Sequence, residues 1–236
     1  MNRQRGAALI IALWALALLS ILMGAVVKSI HLEYRQSANE LQHAKAQLAA
    51  EAGLAMAIQA LSTSPASMVA DGRPYVLPFE DAQLTLQVYS ERGKLDLNFA
   101  NTESFTRLAS KLGASSDQTR QLAAQLNTRR ADGLTLKALE ELQQFKGMDP
   151  SLYERLAPYL TLWTGLGQPD PSFASDTVRT ALRLGPIVPG RNPGTTLNAH
   201  IRAELATVAS TNLNVTFILN PQGDGTQLYR VLRWQE

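Results

Sequence analysis

The sequence predicts an α+β chain: a long N-terminal helix, transmembrane in its first half, packs on a small antiparallel sheet that carries an inserted all-helical subdomain. Three observations predict it. Residues 7–27 are almost wholly apolar, and the helical pattern continues beyond them to residue 61. Residues 84–89 alternate strictly between apolar and polar, and strand-like runs return at 213–219 and 228–234. Between those runs lie amphipathic helical segments, so strands flank a helical insert.

Composition narrows the function. With 236 residues and 45% apolar content the chain has room for one substantial core or two small ones, so it must fold. Its 22 basic and 20 acidic residues are too balanced to predict a nucleic-acid partner from charge. The absence of cysteine excludes a disulfide framework, a lipid-modified cysteine, a thiolate zinc site and a cysteine nucleophile together.

Residues 7–27, including Ala7, Leu9, Ile11, Trp14, Leu18, Leu22 and Val27, hold Ser20 as their one polar side chain. That length crosses a hydrocarbon core of about 30 Å as a helix. The run is too long for a signal peptide and no small-x-small cleavage site follows Val27. A core helix would be apolar on one face, whereas this one is apolar all round. Arg3 and Arg5 precede it and no acidic residue occurs before Glu33, which puts residues 1–6 in the cytoplasm and everything after Lys28 outside. In a Gram-negative cell the chain is then a single-pass inner-membrane protein with a periplasmic C-terminal domain.

Residues 28–62 read as the periplasmic half of the same helix. Leu41, Leu48 and Ala55 recur at seven-residue spacing, with Ala52 and Ile58 nearby. About three heptads without paired charges suit a helix packed on its own domain rather than a free coiled coil, and the same small residues suit packing along partner helices. Ser62, Thr63, Ser64 and Pro65 end the helix. The first β part spans 63–100: strand 84–89, a turn at Glu91-Arg92-Gly93, and a return strand 94–98 as a hairpin. The helical insert spans 101–163, with helices over 102–112, 117–126, 135–145 and 150–158. Glu140 and Glu141 are expected to be exposed, and Asp149 to cap the helix that Pro150 opens. Residues 164–236 hold a loop-rich stretch with a short helix over 175–184, then the C-terminal strands around a Pro-Gln-Gly-Asp-Gly turn.

Candidate sites are few. Gly147 at a bend between helices suggests a helix-hairpin-helix, but Asp149 stands where a second glycine would approach phosphate, so DNA binding is not expected. His31 and His43 lie on the long helix and His200 in a late loop-to-helix region, without metal-ligand spacing. Asp170, Asp176, Asn220 and Asp224 offer oxygens to a hard cation, although 220–225 reads more simply as a turn. No nucleophile elbow, P-loop or dinucleotide fingerprint occurs, and no catalytic role is expected.

The junction Arg5-Gly6-Ala7 resembles the leader of type IV pilin-like proteins, whose dedicated prepilin peptidase cuts after the glycine. The resemblance implies cleavage between Gly6 and Ala7 and methylation of the Ala7 amine. Together with Gly93-Lys-Leu-Asp-Leu-Asn98, Leu139-Glu-Glu-Leu142 leading to Lys146-Gly-Met-Asp-Pro-Ser-Leu-Tyr153, and Asp170-Pro-Ser-Phe-Ala174, it makes the chain similar to the K-type minor pseudopilins (GspK family) of type II secretion systems. Most pilin-like subunits carry glutamate fifth after the cleavage glycine, where it neutralises a neighbour's amine. Here that residue is Ile11, a departure the K-type family shares. The resemblance implies a subunit that caps the pseudopilus tip with the I- and J-type minor pseudopilins, above the major pseudopilin, and helps initiate assembly for protein export. A type IV pilus minor pilin and a single-pass periplasmic binding protein are the alternatives. Larger family members hold calcium in an acidic segment of the insert. Here residues 125–132 are short and basic, so no cofactor is expected and calcium is disfavoured.

Overall fold

The computed structural model describes residues 3–63, 68–206, 209–220 and 227–236, with the side chains of 3–12, 15, 17, 21 and 25–27 outside that description. Helix α1 (Arg3–Thr63) is one unbroken rod of 61 residues, about 90 Å long at 1.5 Å per residue. Strands β1 (Asp71–Phe79) and β2 (Ala82–Ser90) follow, then short β3 (Leu95–Asp96), helices α2 (Thr102–Lys111), α3 (Ser116–Ala131) and α4 (Pro150–Leu156), short β4 (Leu160–Thr161), helix α5 (Asp176–Leu182), and strands β5 (Thr196–Leu205), β6 (Ser210–Leu219) and β7 (Tyr229–Gln235).

The main sheet has the order β1-β2-β5-β6-β7 with every neighbouring pair antiparallel. Alternation puts Leu84, Leu86 and Val88, Leu197, Ala199 and Ile201, and Leu213, Val215 and Phe217 on one buried face. Ala46, Ala49, Ala50, Leu54, Ala57 and Ile58 of α1 cover that face. The helix can lie close because its contact ridge is small. At Gly53 an added Cβ would stand 3.0 Å from both Ile201 Cγ2 and Leu86 Cδ2. Each large side chain that this contact removes from water contributes about 1.5–3 kcal/mol.

Strands β2 and β5 are neighbours in the sheet, and the chain between them forms a second core. Leu95, Leu97, Phe105, Leu108, Leu122, Leu139, Leu152, Leu156 and Val178 are among its buried members. This core therefore draws on residues either side of 101–163. Helix starts within it are capped, that of α4 as expected. Asn101 accepts the Ser104 N–H, Ser115 and Gln118 exchange bonds reciprocally, and Asp149 accepts the Leu152 N–H with Pro150 opening the helix.

Several sequence expectations are corrected. Residues 84–89 and 94–98 do not form a hairpin: β2 pairs with β1 and β5, while β3 pairs in parallel with β4 as a separate two-stranded sheet. Glu91–Gly93 is a 3₁₀ turn, and Gly93 is there for close approach, since a Cβ would meet the Phe173 carbonyl oxygen at 2.1 Å. Residues 135–145 are not an α-helix; a 3₁₀ turn, Leu139–Gln144, occupies their end. His200 lies on β5 rather than in a loop-to-helix region. The turn at 221–225, with Asp224, lies outside the described residues, as does Pro65.

The Gly93 contact gives a first prediction. Gly93→Ala forces backbone to move and is expected to cost about 3 kcal/mol, whereas Gly185→Ala, with nothing within 4 Å of its Cβ, is expected to be neutral. Denaturant midpoints of the two variants measure the difference.

Candidate functional site

Helix α1 carries two faces with different fates. Ala46, Ala50, Gly53, Leu54 and Ala57 face the sheet, whereas Leu41 (57% exposed), Leu48 (65%) and Ala55 point away from it. At 100° per residue these three positions lie roughly opposite the centre of the packed ridge. Ala52 is half-buried on the flank between the faces, and Ile58, at 3% exposure, is buried against the sheet. Ile58 therefore leaves no surface for a partner, which corrects its place in the expected assembly stripe. The spacing of Ala46, Ala49, Ala50, Gly53 and Ala57 is the signal that marks the true packing face. It is an i, i+3, i+4 ridge of small residues.

Farther up the rod, Trp14, Leu18, Leu22, Ile30, Leu32 and Tyr34 are all exposed. An apolar helical surface with none of the described residues packed against it is suited to lipid or to other helices. Among the described residues no helix is long and apolar enough to cross a membrane. The side chains of Ala7, Leu9, Ile11 and Val27 lie outside the described residues; Gly6 and Ala7 fall within the α1 backbone.

The three internal sequence stretches singled out above converge where the sheet meets the insert. Asp96 is buried and takes four hydrogen bonds: the Asn98 N–H at 2.9 Å on Oδ1, and the Thr164 N–H (2.9 Å), Thr164 hydroxyl (3.1 Å) and Gly165 N–H (2.9 Å) on Oδ2. Asn98 clasps Leu136 at both backbone groups, donating to its carbonyl at 3.0 Å and accepting its N–H at 2.8 Å. The Asp170 N–H donates to the Arg92 carbonyl at 2.7 Å, and the buried Asp170 carboxylate lies within 3.9 Å of Arg92 Nε and 3.7 Å of Arg191 Nε. Glu91, wholly buried, pairs with Lys94 Nζ at 2.5 Å.

Ion pairs extend this junction to the last strand. Glu140 accepts from Arg233 at 2.6 Å, and Arg233 also donates to the Tyr153 hydroxyl at 3.3 Å. Burial pulls the Glu140 carboxyl upward, but its backbone hydrogen bond and Arg233 hold it below the usual range. Burial, then Glu140, pushes the Tyr153 phenol up. Glu141 accepts the Lys137 and Ala138 N–H groups and pairs with Arg129, which lowers its carboxyl. Glu140 is exposed, as expected, and Glu141 is half-buried, and both are engaged in ion pairs.

Beside the junction runs a crevice of about 490 Å³ between the far face of the sheet and the insert, lined by Tyr89, Asn198, His200, Tyr153, Pro158 and Arg233 among others. Surrounding protein, then the Lys94 charge, pushes the His200 imidazole below its ordinary value and favours its neutral form. His31 and His43 are exposed on α1.

The remaining candidates have local duties. Asp149 accepts from Ser151 and Gln118 as well as from Leu152, so its carboxylate is occupied at the bend. Asp176 pairs with Arg179. Among the described residues no three histidine or acidic side chains converge as a metal site requires. In the 125–132 stretch Arg130 donates to the Leu97 and Ala100 carbonyls and to the Thr102 hydroxyl. Burial lowers its guanidinium and Asp96 opposes the shift. A fixed guanidinium sits where carbonyl and hydroxyl oxygens meet, and these residues do not fit calcium.

Comparison with known proteins agrees with this architecture. Residues 5–55 match the PilX N-terminal family. A chain of the GspK-GspI-GspJ complex from the type 2 secretion system of enterotoxigenic Escherichia coli has the same fold, with a TM-score of 0.61 at 14% sequence identity. The similarity covers 85% of this chain and 98% of that one. The pilin-like α+β fold expected from the sequence is therefore the fold found. No curated protein sequence matches significantly.

Proposed function

We propose that this chain is a non-catalytic, K-type minor pseudopilin that caps the tip of a type II secretion pseudopilus with I- and J-type subunits, above the major pseudopilin. The observation that carries the reading is the shared fold. A match over 85% of the chain is too long to omit the insert between β2 and β5, so it reaches beyond the helix and sheet common to pilin-like chains. The outward stripe of Leu41, Leu48 and Ala55 supports packing along partner helices. Ile11 supports the tip, because an unpaired buried amine is costly in an apolar setting and a cap has no subunit above it whose amine needs neutralising.

In this reading residues 1–6 are a leader removed by the prepilin peptidase, Ala7 becomes the N-methylated first residue, and 7–27 holds the subunit in the inner membrane with its folded part in the periplasm. Mass spectrometry of the mature N-terminus tests it. The expected result is N-methylated Ala7; a retained Met1, or a start beyond Val27, overturns it. The PilX N-terminal match also suits a minor pilin of a type IV pilus. That reading predicts display on the cell surface, which protease treatment of intact cells distinguishes from periplasmic confinement.

A further inference from the structure

The two edges of the main sheet are built differently. Strand β1, at one edge, carries Pro74 and Pro78 and an irregular register between Asp71 and Pro74. The prolines discourage another strand from pairing there, because proline lacks the N–H that a pairing strand would need. Strand β7, at the other edge, carries no proline.

The hydrogen-bond phase of β7 follows from its neighbours. The Leu219 N–H donates to the Thr195 carbonyl and the Asn220 N–H to the Leu228 carbonyl. Odd-numbered β6 residues therefore face β5 and even-numbered ones face β7. Arg230 opposes Ile218, Arg233 opposes Thr216 and Gln235 opposes Asn214. This leaves the backbone groups of Tyr229, Val231 and Trp234 directed outward, with no pairing strand among the described residues. An irregularity at Leu232 divides that edge into two short runs.

The side chains along the edge add a second requirement. Tyr229, Val231 and Trp234 are exposed apolar groups gathered on one face of this strand. On the opposite face, Arg233 and Gln235 line the crevice walled by Tyr153 and Pro158. A strand laid beside β7 would place alternate side chains against Trp234 on one side and over the crevice on the other.

We infer that the free edge of β7 is a docking site for an extended segment of a neighbouring pilin-like subunit, which adds a short sixth strand to the sheet with apolar residues at alternate positions. This rests on the proposed function for the identity of the neighbour, and on the sheet for the manner of binding. An amphipathic helix would leave the outward N–H groups unpaired, so an extended strand is the occupant that satisfies them.

Amide hydrogen exchange of the full-length chain, alone and reconstituted in detergent with the I- and J-type minor pseudopilins of its own organism, tests it. Strand addition is expected to slow exchange at Tyr229, Val231 and Trp234 at least tenfold. Val231→Pro, which removes an outward donor and no β6 bond, is expected to weaken the complex at least tenfold; Val231→Lys serves as a second blocking variant if the proline variant misfolds. A complex that forms with the three amides exchanging at their free rate overturns the inference, and so does failure of the two subunits to bind. Cleavage at Gly6 is read separately by mass spectrometry, so failure here leaves the pilin-like reading standing or falling on its own result.

Discussion

Replacing Asp96 with alanine is expected to destabilise the helical insert by about 3–5 kcal/mol, as removing one partner from a buried charged network does. Its carboxylate binds the Asn98 N–H on one oxygen and three donors from Thr164 and Gly165 on the other, and it is 1% exposed. Alanine leaves all four donors without their acceptor. Asn is not a rescue: whichever way its amide turns, an NH₂ group meets a backbone N–H that also donates. Because the α1–sheet core and the insert core are separate clusters, the loss is expected to fall first on the insert. Denaturant titration followed by tryptophan fluorescence measures it, since Trp163 adjoins the insert core and Trp234 lies on the sheet edge. A midpoint shift worth less than about 1 kcal/mol, the size of an ordinary neutral hydrogen bond, would sink the idea that Asp96 ties the segments before and after the helical insert together.

Asp96 also explains why parts of the fold were hard to read. The alternation of Leu84, Leu86 and Val88 made β2 plain, but the same alternation at Leu95 and Leu97 suggested a hairpin that does not exist. Residue 96, between them, is as buried as they are, and no period-two rule anticipates a carboxylate buried by four donors. Strand β1 was hidden by Pro74 and Pro78, residues that belong on an edge and lower any strand reading. Strand β5 was hidden because Ala199 and Ala203 fill core positions there and alanine is a strong helix former. Their smallness has a use, since β5 lies directly beneath α1.

The helix shows the same limit in reverse. The heptad stripe of Leu41, Leu48 and Ala55 was visible, yet its direction was not, because larger apolar residues ordinarily mark the core side. Here the core side is the small ridge through Gly53, where closeness matters more than bulk. The heptad spacing and the Asp149 cap were legible from sequence; the junction of Gly93, Asp170 and Glu140 needed the fold, because its partners are distant along the chain.

That reversal sets up the second large effect. Leu41→Glu with Leu48→Glu is expected to leave the folded domain at its original stability, since exposed substitutions usually change it by no more than about 0.5 kcal/mol. Assembly should respond very differently. If partner helices bury both leucines, each contributes about 1.5–3 kcal/mol, and at roughly 1.4 kcal/mol per tenfold change the pair is worth at least a hundredfold in association. Two carboxylates buried at a helix contact raise the cost further. Ile58→Glu is the contrasting variant: buried against the sheet, it is expected to unfold the domain itself. Thermal melts and co-purification with the I- and J-type subunits separate the two outcomes. If the Leu41/Leu48 variant assembles as well as the original chain, the stripe is solvent-facing surface and the subunit contacts lie elsewhere. If it melts early, the outward face is part of the domain's own core. Normal melting with lost assembly is the combination that a helix with one face for its sheet and the other for its neighbours requires.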